Sequence, residues 1–147
     1  MTIDNSLISP ERDFATTWLT TAGRVNRARY FGRSLLIAGA FIGASVGVGL
    51  LLGFSAAASG EREVNPGAIQ ALVLLLQVLM MWPTVCLGVK RLHDLGRPGA
   101  HYWLLLVPFY NLYLALQMLF RKGTEGPNAF GPDPLERRQL ATVESVA

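Results

Sequence analysis

The chain has 147 residues, room for one domain, and 51% of them are hydrophobic while only 16% are charged, well below the roughly 25% charge of soluble domains. The net charge of +3 is too small and too scattered for a nucleic-acid-binding surface. One cysteine, Cys86, lies inside an apolar run, which excludes an intrachain disulfide.

In chain order, residues 1–9 read as a short flexible lead. The start MTIDNSLISPERD lacks a basic region followed by an apolar one, so no cleavable signal peptide is expected. Ser9-Pro10-Glu11 has the form of a helix start, with Ser as N-cap, Pro at the first helical position and an acid in the first turn. Phe14, Trp18, Ala22 and Val25 follow at helical spacing, which predicts an amphipathic helix lying in the headgroup plane. Gly23 should end it, and Asn26 is a suitable N-cap for the next helix. Arg24, Arg27, Arg29 and Arg33 cluster there, with Tyr30 and Phe31 where an aromatic belt belongs.

Ser34 to Gly60 then carries no charge. At roughly 1.5 Å per residue, about 20 residues cross a hydrocarbon core of roughly 30 Å, so the first span is expected at about 34–58. Within it Gly39, Gly43 and Gly47 recur every four residues, and Ser45, Gly49 and Gly53 form a second row. Small residues at this spacing admit a second helix backbone closely in lipid. That second helix is expected from within the chain, with a homodimer seam as the alternative.

Glu61-Arg62-Glu63 is a polar connection, and Pro66-Gly67 opens a second span at about 68–89, with Pro83 expected to kink it and Lys90 and Arg91 closing it. KRLHDLGRPGAH, residues 90–101, reads as a compact charged loop turned by Gly96, Pro98 and Gly99. A third run, 102–120, is barely long enough to cross and contains Pro108 and Asn111. Both a kinked span and a re-entrant hairpin are open for it. The expected fold is therefore all-α and polytopic, with about three transmembrane helices preceded by an interfacial helix. The membrane domain is 10–134, followed by a charged tail at 135–147.

Lys and Arg number five before the first span, one in the first connection and three in the second. This bias predicts a cytoplasmic N-terminus and 90–101 loop. Three spans would leave Arg121 and Lys122 outside, a conflict that a re-entrant third segment removes.

Three stretches carry a resemblance. Gly23-Arg24-Val25-Asn26-Arg27-Ala28-Arg29-Tyr30-Phe31, Arg91-Leu92-His93-Asp94-Leu95-Gly96-Arg97 and Gly123-Thr124-Glu125-Gly126-Pro127-Asn128-Ala129-Phe130-Gly131-Pro132-Asp133-Pro134 stand in order along the chain. Together they resemble the signature motifs of the YhaH/YhaI-like bacterial inner-membrane proteins, over roughly residues 14–134. The resemblance implies a small multi-pass protein of the bacterial inner membrane and brings no activity with it. The chain departs from the pattern at Pro98, at Ala100-His101-Tyr102-Trp103, and at Arg29, where relatives often carry an acid.

His93 and Asp94 are the acid/base pair nearest the membrane face. Neighbours on a helix do not face each other, so Asp94 is expected to pair with Arg91, Arg97 or an arginine of 24–33 and hold the loop in place, leaving His93 without a catalytic role. His93, His101 and Cys86 lack metal-ligand spacing, and no phosphate loop or nucleophile motif is present. The polar side chains within the runs, Gln70, Gln77, Asn111 and Gln117, are expected to hydrogen-bond between spans. The expected function is a non-enzymatic membrane module, without cofactor or metal, that binds anionic lipid or a protein partner through Arg24, Arg27, Arg29, Arg91 and Arg97. Homo-oligomerisation is a further possibility. The alternative is a small transporter or channel subunit.

Overall fold

A computed structural model describes residues 14–60 and 65–136. The expected lead at 1–9, the Ser9-Pro10-Glu11 helix start, the Glu61-Arg62-Glu63 connection and all but the first two residues of the charged tail lie outside them. The described residues are helical and contain no strand, only an isolated bridge between Asn128 and Gly131.

Helix α1 is short, Phe14–Trp18, and the amphipathic helix expected to run on toward Val25 stops there. Thr20 Oγ1 turns back onto the Thr16 carbonyl, and Gly23 adopts φ 93, a conformation open to glycine. Val25 is fully buried and donates its N–H to the Lys90 carbonyl. Once that backbone pairs with another segment, it cannot continue a helix of its own.

Helix α2, Arg27–Ala58, starts at an Asn26 cap whose Oδ1 accepts the Arg29 N–H at 2.9 Å, satisfying one of the orphan donors of the first turn. Ser45, Ser55 and Ser59 return their hydroxyls to carbonyls of the preceding turn. That bond keeps a hydroxyl satisfied where there is no water. Helix α3, Pro66–Asp94, starts at Asn65, which accepts the Gly67 N–H, and continues through Pro83. Its C-terminus lies beyond Lys90 and Arg91, at a Gly96 of φ 73. Gly96 N–H bonds the His93 carbonyl and Arg97 N–H the Leu92 carbonyl, a Schellman arrangement. Both α2 and α3 are long and apolar enough to cross a membrane.

The third run is not one helix. A 3-10 helix, Gly99–Leu106, is followed by a break and by helix α4, Tyr110–Phe120, of 11 residues. Pro108 has no N–H to donate, and Phe109 takes φ 65 and is 91% exposed, so the 102–120 run, for which the sequence leaves both a kinked span and a re-entrant hairpin open, divides in two. Neither piece alone has the length of a span.

The chain divides into two compact units. In the first, residues 34–84, large apolar side chains such as Leu36, Leu50, Phe54 and Leu75 are exposed. A Cβ added at Gly39, Gly43 or Gly47 would meet nothing within 4 Å, so the close approach expected at these glycines is not made by described residues. The second unit comprises the chain up to Arg33 and from Val85 onward. Its core is Leu92, Leu95, Leu114 and Met118, with Tyr30, Tyr102, Leu104, Leu105 and Tyr110 against it. Burying side chains of this size stabilises by about 2 kcal/mol each. Gly88 is required here, because a Cβ would strike the Tyr102 ring.

Candidate functional site

Within the second unit, Asp94 is the hub of a buried charged cluster. It ends α3 and is 2% exposed. Arg24 donates through Nε and Nη2 to its Oδ1, at 3.2 and 3.1 Å. Arg91, one turn back on α3, donates through Nη1 to its Oδ2. Two guanidinia on one carboxylate leave a surplus of positive charge, which backbone carbonyls absorb. Arg24 reaches the Gly126 carbonyl at 2.7 Å and those of Gly131 and Thr124. Arg91 reaches the Met118 carbonyl at 2.7 Å and that of Arg121. A third buried cation, Lys90, donates to the Thr16 and Thr17 carbonyls at the end of α1. A cation there is favoured by the partial negative charge of the helix terminus.

The tail closes over this cluster. Thr124 gives both its N–H and its Oγ1 to the Asp94 carbonyl, at 2.8 and 3.1 Å, and Asn128 Nδ2 gives to the His93 carbonyl at 2.9 Å. The Asp94 carbonyl, left over at the C-terminus of α3, is thereby satisfied by a segment thirty residues downstream, and the His93 carbonyl gains a second donor beside the Gly96 N–H. The segment itself is held by Asn128 Oδ1 accepting the Phe130 N–H and by Asp133 accepting from Gly126 and Leu135. Gly123 lies directly over the Asp94 carboxylate, where a Cβ would occupy the space of the oxygens. Gly126 and Gly131, at φ 71 and φ 132, supply the turns.

Among the described residues no carboxylate is hydrogen-bonded or ion-paired to His93. Its Nδ1 donates to the Gly23 carbonyl at 3.2 Å, and its ring stacks on Phe130 with centroids 4.1 Å apart and planes within 2°. It lies beyond the apolar run that ends at Val89, as does Asp94. Burial pushes the His93 imidazole below its usual value, against the hydrogen bond to Gly23. Burial pushes the Asp94 carboxyl above its usual value, against the pull of Arg91 and Arg24. His93 thus has Nδ1 on the Gly23 carbonyl and one ring face on Phe130.

The five arginines singled out in the sequence therefore separate. Arg24 and Arg91 are 6% and 0% exposed and turned inward onto Asp94. Arg27 is exposed, its Nη1 3.4 Å from the Phe120 carbonyl. Arg29 is half-buried. Arg97 is half-buried too, and its Nη1 has no hydrogen-bond partner among the described residues. Arg33 packs over the Trp18 ring at 5.8 Å. Among the described residues no group of His, Cys, Asp and Glu could hold a metal ion.

Lys90, Gly123, Thr124, Asn128 and Phe130 belong to the cluster although the sequence reading assigned them no such role. The density of turn-forming residues in 123–134 signalled a folded segment. Nothing local signalled that its partners would be carbonyls of α3, since those contacts join residues thirty or more apart.

The sequence matches the family described as "Protein of unknown function (DUF805)" over residues 18–132. It is similar to inner membrane protein YhaI of Escherichia coli K12, 31% identical over 114 residues that make up 77% of this chain and 84% of that protein. Inner membrane protein YhaH of the same organism is 33% identical over 74 residues, 50% of this chain and 59% of that one. Uncharacterized protein YiiR, also from there, is 42% identical over 59 residues, 40% and 36% of the two chains. No solved structure matches.

Proposed function

This chain belongs to the DUF805 family of membrane proteins, and we propose that it is a non-enzymatic module that clasps its three signature motifs together on the cytoplasmic face and binds anionic lipid there. The observation behind the reading is the division among the cations. Arg24, Lys90 and Arg91 are spent on internal carbonyls and on Asp94, while Arg27, Arg121 and Lys122 remain exposed around the same helix ends, Lys122 beside Glu125 at 2.5 Å. Cations at that level are worth about 1 kcal/mol each against an anionic leaflet. Headgroup binding is thus assigned to Arg27, with Arg29 and Arg97 of the expected set, joined by Arg121 and Lys122. Replacing Arg27, Arg121 and Lys122 together with glutamine should weaken retention of anionic lipid in native mass spectrometry. Unchanged retention would count against the reading.

The topology proposed with it has two spans and a re-entrant third segment. Arg24 bonds Asp94, so the approach to α2 and the end of α3 meet. Arg91 bonds the Arg121 carbonyl, so the segment from Gly99 to Phe120 leaves and returns at one level. An 11-residue α4 is about 16 Å long, close to the depth of one leaflet. Arg121 and Lys122 then stay with the other cations, and the conflict in charge bias disappears. The check is labelling of intact cells with an impermeant thiol reagent, using a Cys86→Ser chain with single cysteines at Ser59, Ala100 or Ala129. Ala100 and Ala129 should behave alike, both protected, with Ser59 labelled. Labelling at Ala129 alone of that pair would restore three spans.

A further inference from the structure

We propose that the outward face of α4 is the seat of one anionic glycerophospholipid of the cytoplasmic leaflet. The site rests on the lipid-binding reading above and gives it a location. Tyr113, Leu116, Gln117, Phe120 and Arg121 line an open groove of about 410 Å³, within the size range of small-ligand sites. Their spacing, i, i+3, i+4, i+7 and i+8, places all five on one stripe of the helix.

The groove is graded along its length. Tyr113, Leu116 and Phe120 form an apolar wall, and all three are about half exposed or more. At the C-terminal end Arg121 is braced by Gln117, whose Oε1 accepts from its Nη1 at 3.0 Å. Arg27 meets the same end, with its Nη1 on the Phe120 carbonyl. Two exposed guanidinia thus stand at one end of an open, largely apolar groove. The arrangement complements a phosphate with an acyl chain below it, since guanidinium pairs phosphate through paired N–H donors. From Tyr113 to Phe120 the helix rises about 10 Å, enough to support the first part of an acyl chain below the headgroup. A partner helix would match the apolar wall but leave the paired cations without a counter-charge.

The test uses the full chain in nanodiscs of phosphatidylcholine containing a minor fraction of phosphatidylglycerol, with native mass spectrometry of retained lipid. Arg27→Gln/Arg121→Gln should lower phosphatidylglycerol retention about tenfold. Leu116→Trp, which fills the groove and leaves both cations in place, should do the same, while glycerol phosphate added in excess should not displace the lipid. Thermal melting identifies any variant that fails to fold. A Leu116→Trp protein that melts normally and retains lipid at the wild-type level overturns the site. Displacement by glycerol phosphate overturns it in favour of a free-phosphate site. Retention lost only in Arg29→Gln or Lys122→Gln overturns the site but leaves the lipid-binding reading standing. A wild-type chain with no preference for phosphatidylglycerol over phosphatidylcholine overturns both.

Discussion

The stretch 34–84 and the clasp around Asp94 handle polarity in opposite ways. Residues 34–84 contain no Lys, Arg, Asp or Glu outside 61–63, and the hydroxyls of Ser45, Ser55, Ser59 and Thr84 fold back on their own helix. The large apolar side chains there face outward, as suits a surface whose solvent is lipid. The clasp buries three cations and one carboxylate and meets the cations with main-chain carbonyls of residues 16–17, 118–121 and 124–131. The contrast teaches where single residues matter. In the apolar stretch any side chain of similar size and polarity serves, whereas in the clasp the guanidinia of Arg24 and Arg91 depend on particular buried acceptors, whose loss leaves a charge unpaired.

The sharpest way to break the contrast is Asp94→Ala. Removing the carboxylate leaves Arg24 and Arg91 buried without a counter-charge, and a loss of about 3–5 kcal/mol is expected, read as a lowered melting temperature in detergent. A loss below about 1 kcal/mol would mean that the carbonyls alone hold the guanidinia. Next is Gly123→Ala, whose Cβ would enter the Asp94 carboxylate. Forcing that segment away should cost about 1–3 kcal/mol and expose the tail to protease, whereas Gly126→Ala, with open space but φ 71, should cost less.

A smaller effect is expected from pH. His93 has a folded-state value below its unfolded one, so the unfolded chain takes up the proton first. The contribution of neutral His93 is then fully present above the ordinary imidazole value of about 6.5 and is lost as pH falls through it toward the lower folded value. The melting temperature should drop below pH 6.5 in the wild type and drop less in His93→Phe, which keeps the stack on Phe130 and cannot titrate. Equal slopes in the two proteins would remove His93 from the clasp's pH response.

The smallest effect belongs to the apolar stretch. Gly43 has no neighbour within 4 Å of an added Cβ, so Gly43→Ala should raise stability by at most about 1 kcal/mol through helix propensity alone. A fall instead, with a change of oligomeric state in native mass spectrometry, would show a second helix seated on the glycine row.

Much of the molecule was legible in the residues themselves because its causes are local. Uncharged runs longer than a bilayer is thick mark α2 and the greater part of α3, Asn26 marks the cap, and Gly96 marks the turn after Asp94. The conformation of residues 19–26 was not legible, since Val25 is held by the Lys90 carbonyl and a periodicity of side chains cannot report a backbone partner. The division of the third run was only half legible. Pro108 announced trouble, but whether the chain turns back is decided by where its far end is anchored.

What the sequence determined alone is the solvent of the two long apolar runs, because transfer of apolar side chains into lipid depends on composition and length; the third span expected beside them is instead a 3-10 helix and the short α4. What only the tertiary structure decided is the work of the charges. The same five arginines look equivalent in a basic cluster, yet Arg24 and Arg91 turn inward because one carboxylate and a ring of unpaired carbonyls converge on them. Apart from the Arg91–Asp94 pair, one turn apart and expected from the sequence, that convergence joins residues 27 to 107 positions apart, and no local pattern encodes a partner at that distance.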